Sequence, residues 1–151
     1  MLNYDGSYYV GEYLENRQHG LGVLHKDSKT FYTGSWKMDM REGRGRETWK
    51  DGNCYNGDFR NNLKHGKGSF TWADGRVFEG MFRDNAVQGK GKLTYPDGKV
   101  FIGTWKNNQM HGRGVFTWPD GRKYDGEYKN DKKHGHGKFL WPSGKMYDGA
   151  W

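Results

Sequence analysis

The chain has 151 residues, only 32% of them hydrophobic, and a net charge of +7 from 25 Lys+Arg against 18 Asp+Glu. That is too little aliphatic surface for an ordinary packed core, so the 17% of aromatic residues must supply most of the burial. The single cysteine, Cys54, excludes an intrachain disulfide and points to a reducing, cytoplasmic compartment; no apolar run nears the ~18 residues of a membrane span.

Low hydrophobicity with a charge excess would suggest disorder, but the aromatic residues are periodic. The opening Met1-Leu2-Asn3-Tyr4-Asp5 has no signal-peptide character, and Asn3-Tyr4-Asp5-Gly6 already lies inside a repeating unit. The unit is marked by aromatic-x-Gly-x-aromatic, as in Tyr124-Asp125-Gly126-Glu127-Tyr128, whose glycine recurs every 23 residues at Gly11, Gly34, Gly57, Gly80, Gly103, Gly126 and Gly149. A Gly-x-Gly pair keeps step with it, from Gly20/Gly22 to Gly135/Gly137. Joints between units read Asp5-Gly6, Asp51-Gly52, Asp74-Gly75, Asp97-Gly98, Asp120-Gly121 and Ser143-Gly144. Units are expected at 9–31, 32–54, 55–77, 78–100, 101–123 and 124–146, with a partial one at 147–151.

In chain order, unit one replaces the usual second-strand rings by Leu24 and Lys26. Unit two is the least regular: Ser28-Lys29 precedes it where Asp-Gly is expected, Glu42 replaces the His of His-Gly, and Glu47 replaces an inward Phe. A charge at a ring-lined position costs stability unless paired, so either this segment is wet or Glu47 makes a polar contact with a partner. Units three to six are nearly regular, with Gln88 for His and Tyr95 for Trp.

Within a unit both segments alternate with period two, which predicts a pair of strands. Tyr124, Gly126 and Tyr128 fall on one side; Gly135, Gly137, Phe139 and Trp141 share one side of the second strand, with His136, Lys138 and Leu140 on the other. Asn130-Asp131-Lys132 is read as the turn within the unit and Pro142-Ser143-Gly144 as the turn to the next. No segment has a helical apolar stripe. The predicted fold is all-β: an elongated, twisted, single-layer antiparallel sheet of stacked hairpins with essentially no helix. Glycines on the ring side leave room for neighbouring rings. The other side pairs acids (Glu12, Asp58, Asp125, Glu127) with bases (Arg44, Lys67, Arg113, Lys138). Twist should curl the sheet into a groove lined by Trp36, Trp49, Phe59, Phe70, Trp72, Phe82, Tyr95, Trp105, Phe116, Trp118, Tyr128, Phe139 and Trp141.

The pattern resembles the MORN (membrane occupation and recognition nexus) repeat, which runs roughly Tyr-x-Gly-x-Trp, a polar turn, His-Gly-x-Gly and an aromatic strand. The resemblance spans Tyr9 to Trp151. It implies a platform of β-hairpins used for interaction, in settings such as cytoskeletal collars, ciliary spokes, membrane contact sites and the head of plant phosphoinositide kinases.

Catalytic and metal chemistry find no support in the sequence. His19, His65, His111 and His134 share one repeat position, but equivalent positions in successive hairpins lie about 10 Å apart, too far to converge on a metal. They read as turn histidines bonding backbone or an acid. The Gly-x-Gly pairs lack a following Lys-Ser/Thr and helix, and Cys54 has no register-matched His. The expected function is therefore non-enzymatic and without cofactor: a scaffold gripping an extended peptide or helix along the rings. The alternative is a module binding phosphoinositides or other anionic phospholipids within a larger protein. The ends carry no polar cap, which suggests a piece of a longer protein or self-association through terminal edge strands. Nucleic acid is disfavoured because no contiguous basic groove appears. The expected location is cytoplasmic, with cytoskeletal, ciliary or membrane association.

Overall fold

The structure, a computed structural model, describes residues 4–151, so the incomplete repeat read at Asn3 begins outside the described residues. They form thirteen antiparallel strands in one open sheet whose order follows the chain, with no helix among them. The strands are β1 Tyr8–Leu14, β2 Arg17–His25, β3 Phe31–Lys37, β4 Met40–Thr48, β5 Cys54–Arg60, β6 Leu63–Thr71, β7 Val77–Arg83, β8 Ala86–Thr94, β9 Val100–Lys106, β10 Gln109–Thr117, β11 Lys123–Lys129, β12 Lys132–Leu140 and β13 Met146–Ala150. Two compact units are distinguished, Met1–Ala73 with Phe82–Asn85 and Asp74–Met81 with Ala86–Trp151. Each is described by itself below.

Every hairpin turns on two residues of positive φ. In β11–β12 these are Asn130 (51°) and Asp131 (68°), a geometry that matches strand twist and suits Asn and Asp. The turn is thus one residue shorter than read from the sequence, since Lys132 already belongs to β12. The second turn residue also fastens its hairpin to the previous one. Asp131 N donates to the Met110 carbonyl (3.1 Å) while Met110 N donates to Asp131 Oδ1 (2.8 Å). Asn62 makes the same reciprocal pair with Arg41, and Asn108 with Val87. Asn or Asp therefore serves twice there, tolerating positive φ and supplying the acceptor.

The repeat histidine position caps the first residue of the next turn. Met38 N donates to His19 Nδ1 (3.4 Å) and Asp84 N to His65 Nδ1 (3.5 Å). Glu42 accepts from Asn61 N (2.9 Å) and Gln88 from Asn107 N (3.2 Å). Any acceptor of that reach suffices, which accounts for both departures from His.

The first strand of a hairpin has seven residues and the second nine, and the two extra residues form a bulge. Gly126 pairs with Gly137 but Glu127 with His134, leaving Gly135 and His136 over. This corrects the placement of Gly135 with the rings. Gly135 takes φ +63°, and a Cβ there would strike the Glu127 carboxylate on the reverse side. The second glycine does lie under a ring. Gly91, Gly103, Gly114, Gly126, Gly137 and Gly149 form a continuous row across paired strands, and Gly11 to Gly68 form another in the first unit. Across this floor lies the first ring of each repeat, so close that a Cβ on Gly126 would stand 2.6 Å from the Tyr124 hydroxyl.

The core is a zigzag of edge-to-face rings. In the first unit it runs Tyr9, Trp36, Tyr32, Phe59, Tyr55, Phe82 at 5.0–5.3 Å between centroids. In the second it runs Phe78, Trp105, Phe101, Tyr128, Tyr124, Trp151 at 5.0–5.4 Å. Such pairs add roughly 0.5–1.5 kcal/mol each beyond burial, which is how a chain poor in aliphatic residues holds together.

On the reverse face Arg44 pairs with Asp58 (3.7 Å) and Arg113 with Asp125 (3.4 Å). The expectation of an ionic reverse face fails in β1–β2. There Val10 pairs with Val23, Tyr8 stacks on His25 at 4.5 Å, and Glu12 accepts from Leu21 N rather than meeting a base.

Candidate interaction face

The rings named from sequence divide into two populations. Trp36, Phe59, Phe82, Trp105 and Tyr128 are buried. Trp36, Phe59, Trp105 and Tyr128 are each wedged between the first rings of their own and the preceding repeat, and Phe82 packs edge-on to Tyr55. Trp36 and Trp105 also donate their indole N–H to the carbonyls of Gly22 (3.2 Å) and Gly91 (3.3 Å). These side chains are consumed by the fold. Trp49, Phe70 and Trp72 in the first unit, and Tyr95, Phe116, Trp118, Phe139 and Trp141 in the second, are only half-buried. They stand at the joint end of each second strand and overlap in tilted stacks. Phe116–Trp118 and Phe139–Trp141 are 4.5 Å apart, and Trp118–Phe139 bridges two repeats at 5.5 Å.

Cations sit on this row. Lys99 lies over Tyr95 (5.1 Å), Arg122 over Trp118 (5.1 Å) and Lys145 over Trp141 (5.5 Å). Lys99 and Arg122 are also paired with Asp97 (3.2 Å) and Asp120 (2.8 Å). The backbone N–H two residues on also donates to each of these aspartates, and these bonds hold their carboxyls below the ordinary range. A second set of cations comes from a repeat position that the sequence reading left unassigned, occupied in turn by Gln18, Arg41, Lys64, Val87, Met110 and Lys133. The pairings Tyr128↔Lys133 and Phe59↔Lys64 place it on the ring side. Lys64 lies over Trp49 (5.4 Å) and Tyr55 (5.8 Å), and burial among these rings lowers its ammonium pKa.

Glu47 is buried, 4% exposed, at the place where later repeats carry Phe70, Leu93, Phe116 and Phe139. Arg41 Nη1 donates to its Oε1 at 2.6 Å, and Lys26 Nζ lies 3.3 Å from Oε2. The two sequence irregularities of this region, Lys26 and Glu47, thus answer each other directly, and Arg41 holds the second carboxylate oxygen. Beside them is a concavity of about 440 Å³ bordered by Gln18, Leu24, Trp36 and Asp39. Among the described residues no cluster of three His, Cys, Asp or Glu side chains is arranged to hold a metal ion.

The family profile of the MORN repeat matches residues 9–30, 32–54, 55–75, 78–100, 101–121 and 124–146. The chain belongs to the MORN repeat family. MORN repeats are non-catalytic modules of protein or membrane interaction. No characterised protein matches the sequence significantly. Among solved structures, the chain is similar to the SAS-4 (dCPAP) TCP domain of Drosophila melanogaster in complex with a proline-rich motif of Ana2 (dSTIL), at 11% identity and a TM-score of 0.49. That likeness covers 100% of this chain and 88% of that one. No helix of the MORN array, among the described residues, is long and apolar enough to cross a membrane.

Within the MORN unit, sequence reasoning identified the rings but not the inward cations. A signal was present. The column of Lys133 also holds Val87 and Met110, residues that belong on an apolar face.

Proposed function

We propose that this MORN array is a non-enzymatic interaction module that holds a segment of a partner protein on its ring face. The supporting observation is that the row Tyr95, Phe116, Trp118, Phe139 and Trp141 stays half-exposed after core packing is complete. Trp49, Phe70 and Trp72 do the same in the first unit. Large rigid rings contribute most of the energy at protein interfaces, and a row of them suits an extended or helical segment.

The test is to replace accessible rings without touching the zigzag. Trp118→Ala with Trp141→Ala should keep the melting temperature within a few degrees and abolish capture of a partner segment selected from a displayed peptide library. Unchanged capture by the folded double variant would sink the reading. The second reading, binding to anionic phospholipid, is favoured by the lysines on the same face; liposome flotation at physiological salt discriminates it.

A further inference from the structure

We infer that the ring face of β10–β13 receives an acidic polypeptide segment, with Lys133 as the receptor for one of its carboxylates; this placement presupposes the protein-docking role proposed above. Lys133 Nζ lies over three rings, Tyr124 (5.3 Å), Trp151 (5.6 Å) and Trp118 (5.9 Å). No carboxylate or other acceptor of the described residues pairs with it. No buried side-chain nitrogen or oxygen lacks a partner, so this ammonium is open to solvent at the foot of the ring row.

The chain itself shows how such a cation is answered. In β3–β4 the same repeat position is Arg41, and Glu47 reaches it at 2.6 Å from the place that Phe139 holds in β11–β12. Repeat two thus carries its carboxylate internally, whereas repeat six offers the cation and leaves the carboxylate to come from outside. A second departure in the same region points the same way. Lys99 and Arg122 are neutralised by Asp97 and Asp120 of their joints, but the joint preceding Lys145 has Ser143. Lys145 lies over Trp141 without an acid.

A carboxylate arriving here replaces water on an ammonium held among ring faces, where it gains a charge-assisted bond. Apolar residues of the same segment would cover Phe139 and Trp141. Phosphate headgroups would also answer lysines. A peptide fits better because Lys133 sits within the ring row, where an extended chain can bring alternate side chains down, rather than projecting towards a flat surface.

The experiment titrates the whole chain against a labelled synthetic peptide alternating Glu and Leu, its Gln-for-Glu counterpart, and phosphatidylserine vesicles, read by fluorescence anisotropy and flotation. The Glu peptide should bind about tenfold tighter than the Gln peptide. Lys133→Met, which installs the residue found at Met110, should erase that difference while circular dichroism and melting stay as in the parent. Lys138→Met on the opposite face should preserve it. Equal binding of the two peptides, or a Glu preference that survives Lys133→Met, overturns the acidic specificity and leaves the docking role standing. Vesicle binding without either peptide, or no binding at all, overturns both.

Discussion

Hairpins β3–β4 and β11–β12 share strand lengths, a bulge, a two-residue turn and a tyrosine laid over paired glycines, yet their ring faces differ. One carries the Arg41–Glu47 pair, its carboxylate buried, and the other an open Lys133 over Tyr124, Trp151 and Trp118. The backbone devices lie between adjacent strands and are indifferent to what stands on the ring face above them. The repeat can therefore vary its surface chemistry one position at a time without changing its frame.

The largest expected effect tests that shared frame. Gly137→Ala drives a Cβ into the Tyr124 ring and Gly45→Ala does so to Tyr32; each should cost about 3 kcal/mol in urea unfolding. Very unequal costs would show that the frames are not equivalent.

Next comes the ion pair. Arg41→Met leaves Glu47 with Lys26 alone and should cost about 2–3 kcal/mol, whereas Arg41→Met with Glu47→Phe, which copies Met110 and Phe116, should return to within about 1 kcal/mol of the parent. A double variant no better than the single one would mean that repeat two needs its charges for packing.

Tyrosine hydroxyls provide a smaller effect with a pH signature. Burial raises the Tyr32 phenol to about 12, and its hydroxyl donates to the Ser35 carbonyl at 2.8 Å. The fold favours the neutral phenol, so this stability is complete below the ordinary phenol range, near ~10, and is lost as pH rises through about 12. Tyr32→Phe should cost about 1 kcal/mol at neutral pH and flatten that alkaline limb, because Phe78 and Phe101 already occupy the equivalent place. Phenolate absorbance followed alongside unfolding checks it.

The turns differ more subtly. Met38 adopts φ 49° where Asn130 adopts 51°, so Met38→Asn should stabilise by roughly 0.5 kcal/mol, read as a small rise in melting temperature. Smallest of all, Arg113→Ala removes an exposed pair with Asp125 and should change stability by no more than a few tenths of a kcal/mol.

The hairpins, their order in one sheet and the division into a ring side and a reverse side were legible in the period, because Asn, Asp, Gly and alternating rings act through near neighbours in sequence. The accessible rings were named only in part: Trp49, Phe70, Trp72, Tyr95, Phe116, Trp118, Phe139 and Trp141 belong to the expected groove, while the exposed rings of Tyr13, Tyr147 and Trp151 do not. The separation of Trp36 and Phe59 from Trp118 and Trp141 was not legible. It depends on the first rings of two successive repeats enclosing the first pair, whereas the second pair meets its neighbours in tilted stacks that leave it half-exposed.

What the sequence by itself determined is the unit and its repetition, a consequence of local backbone preference and strict alternation. What only the tertiary structure decided is which side chains that repetition uses up. A bulge turned Gly135 to the reverse face, and cross-strand pairing brought Lys133 under the rings and gave Glu47 to Arg41. Those outcomes belong to contacts between strands, where the neighbour that counts is not the neighbour in sequence.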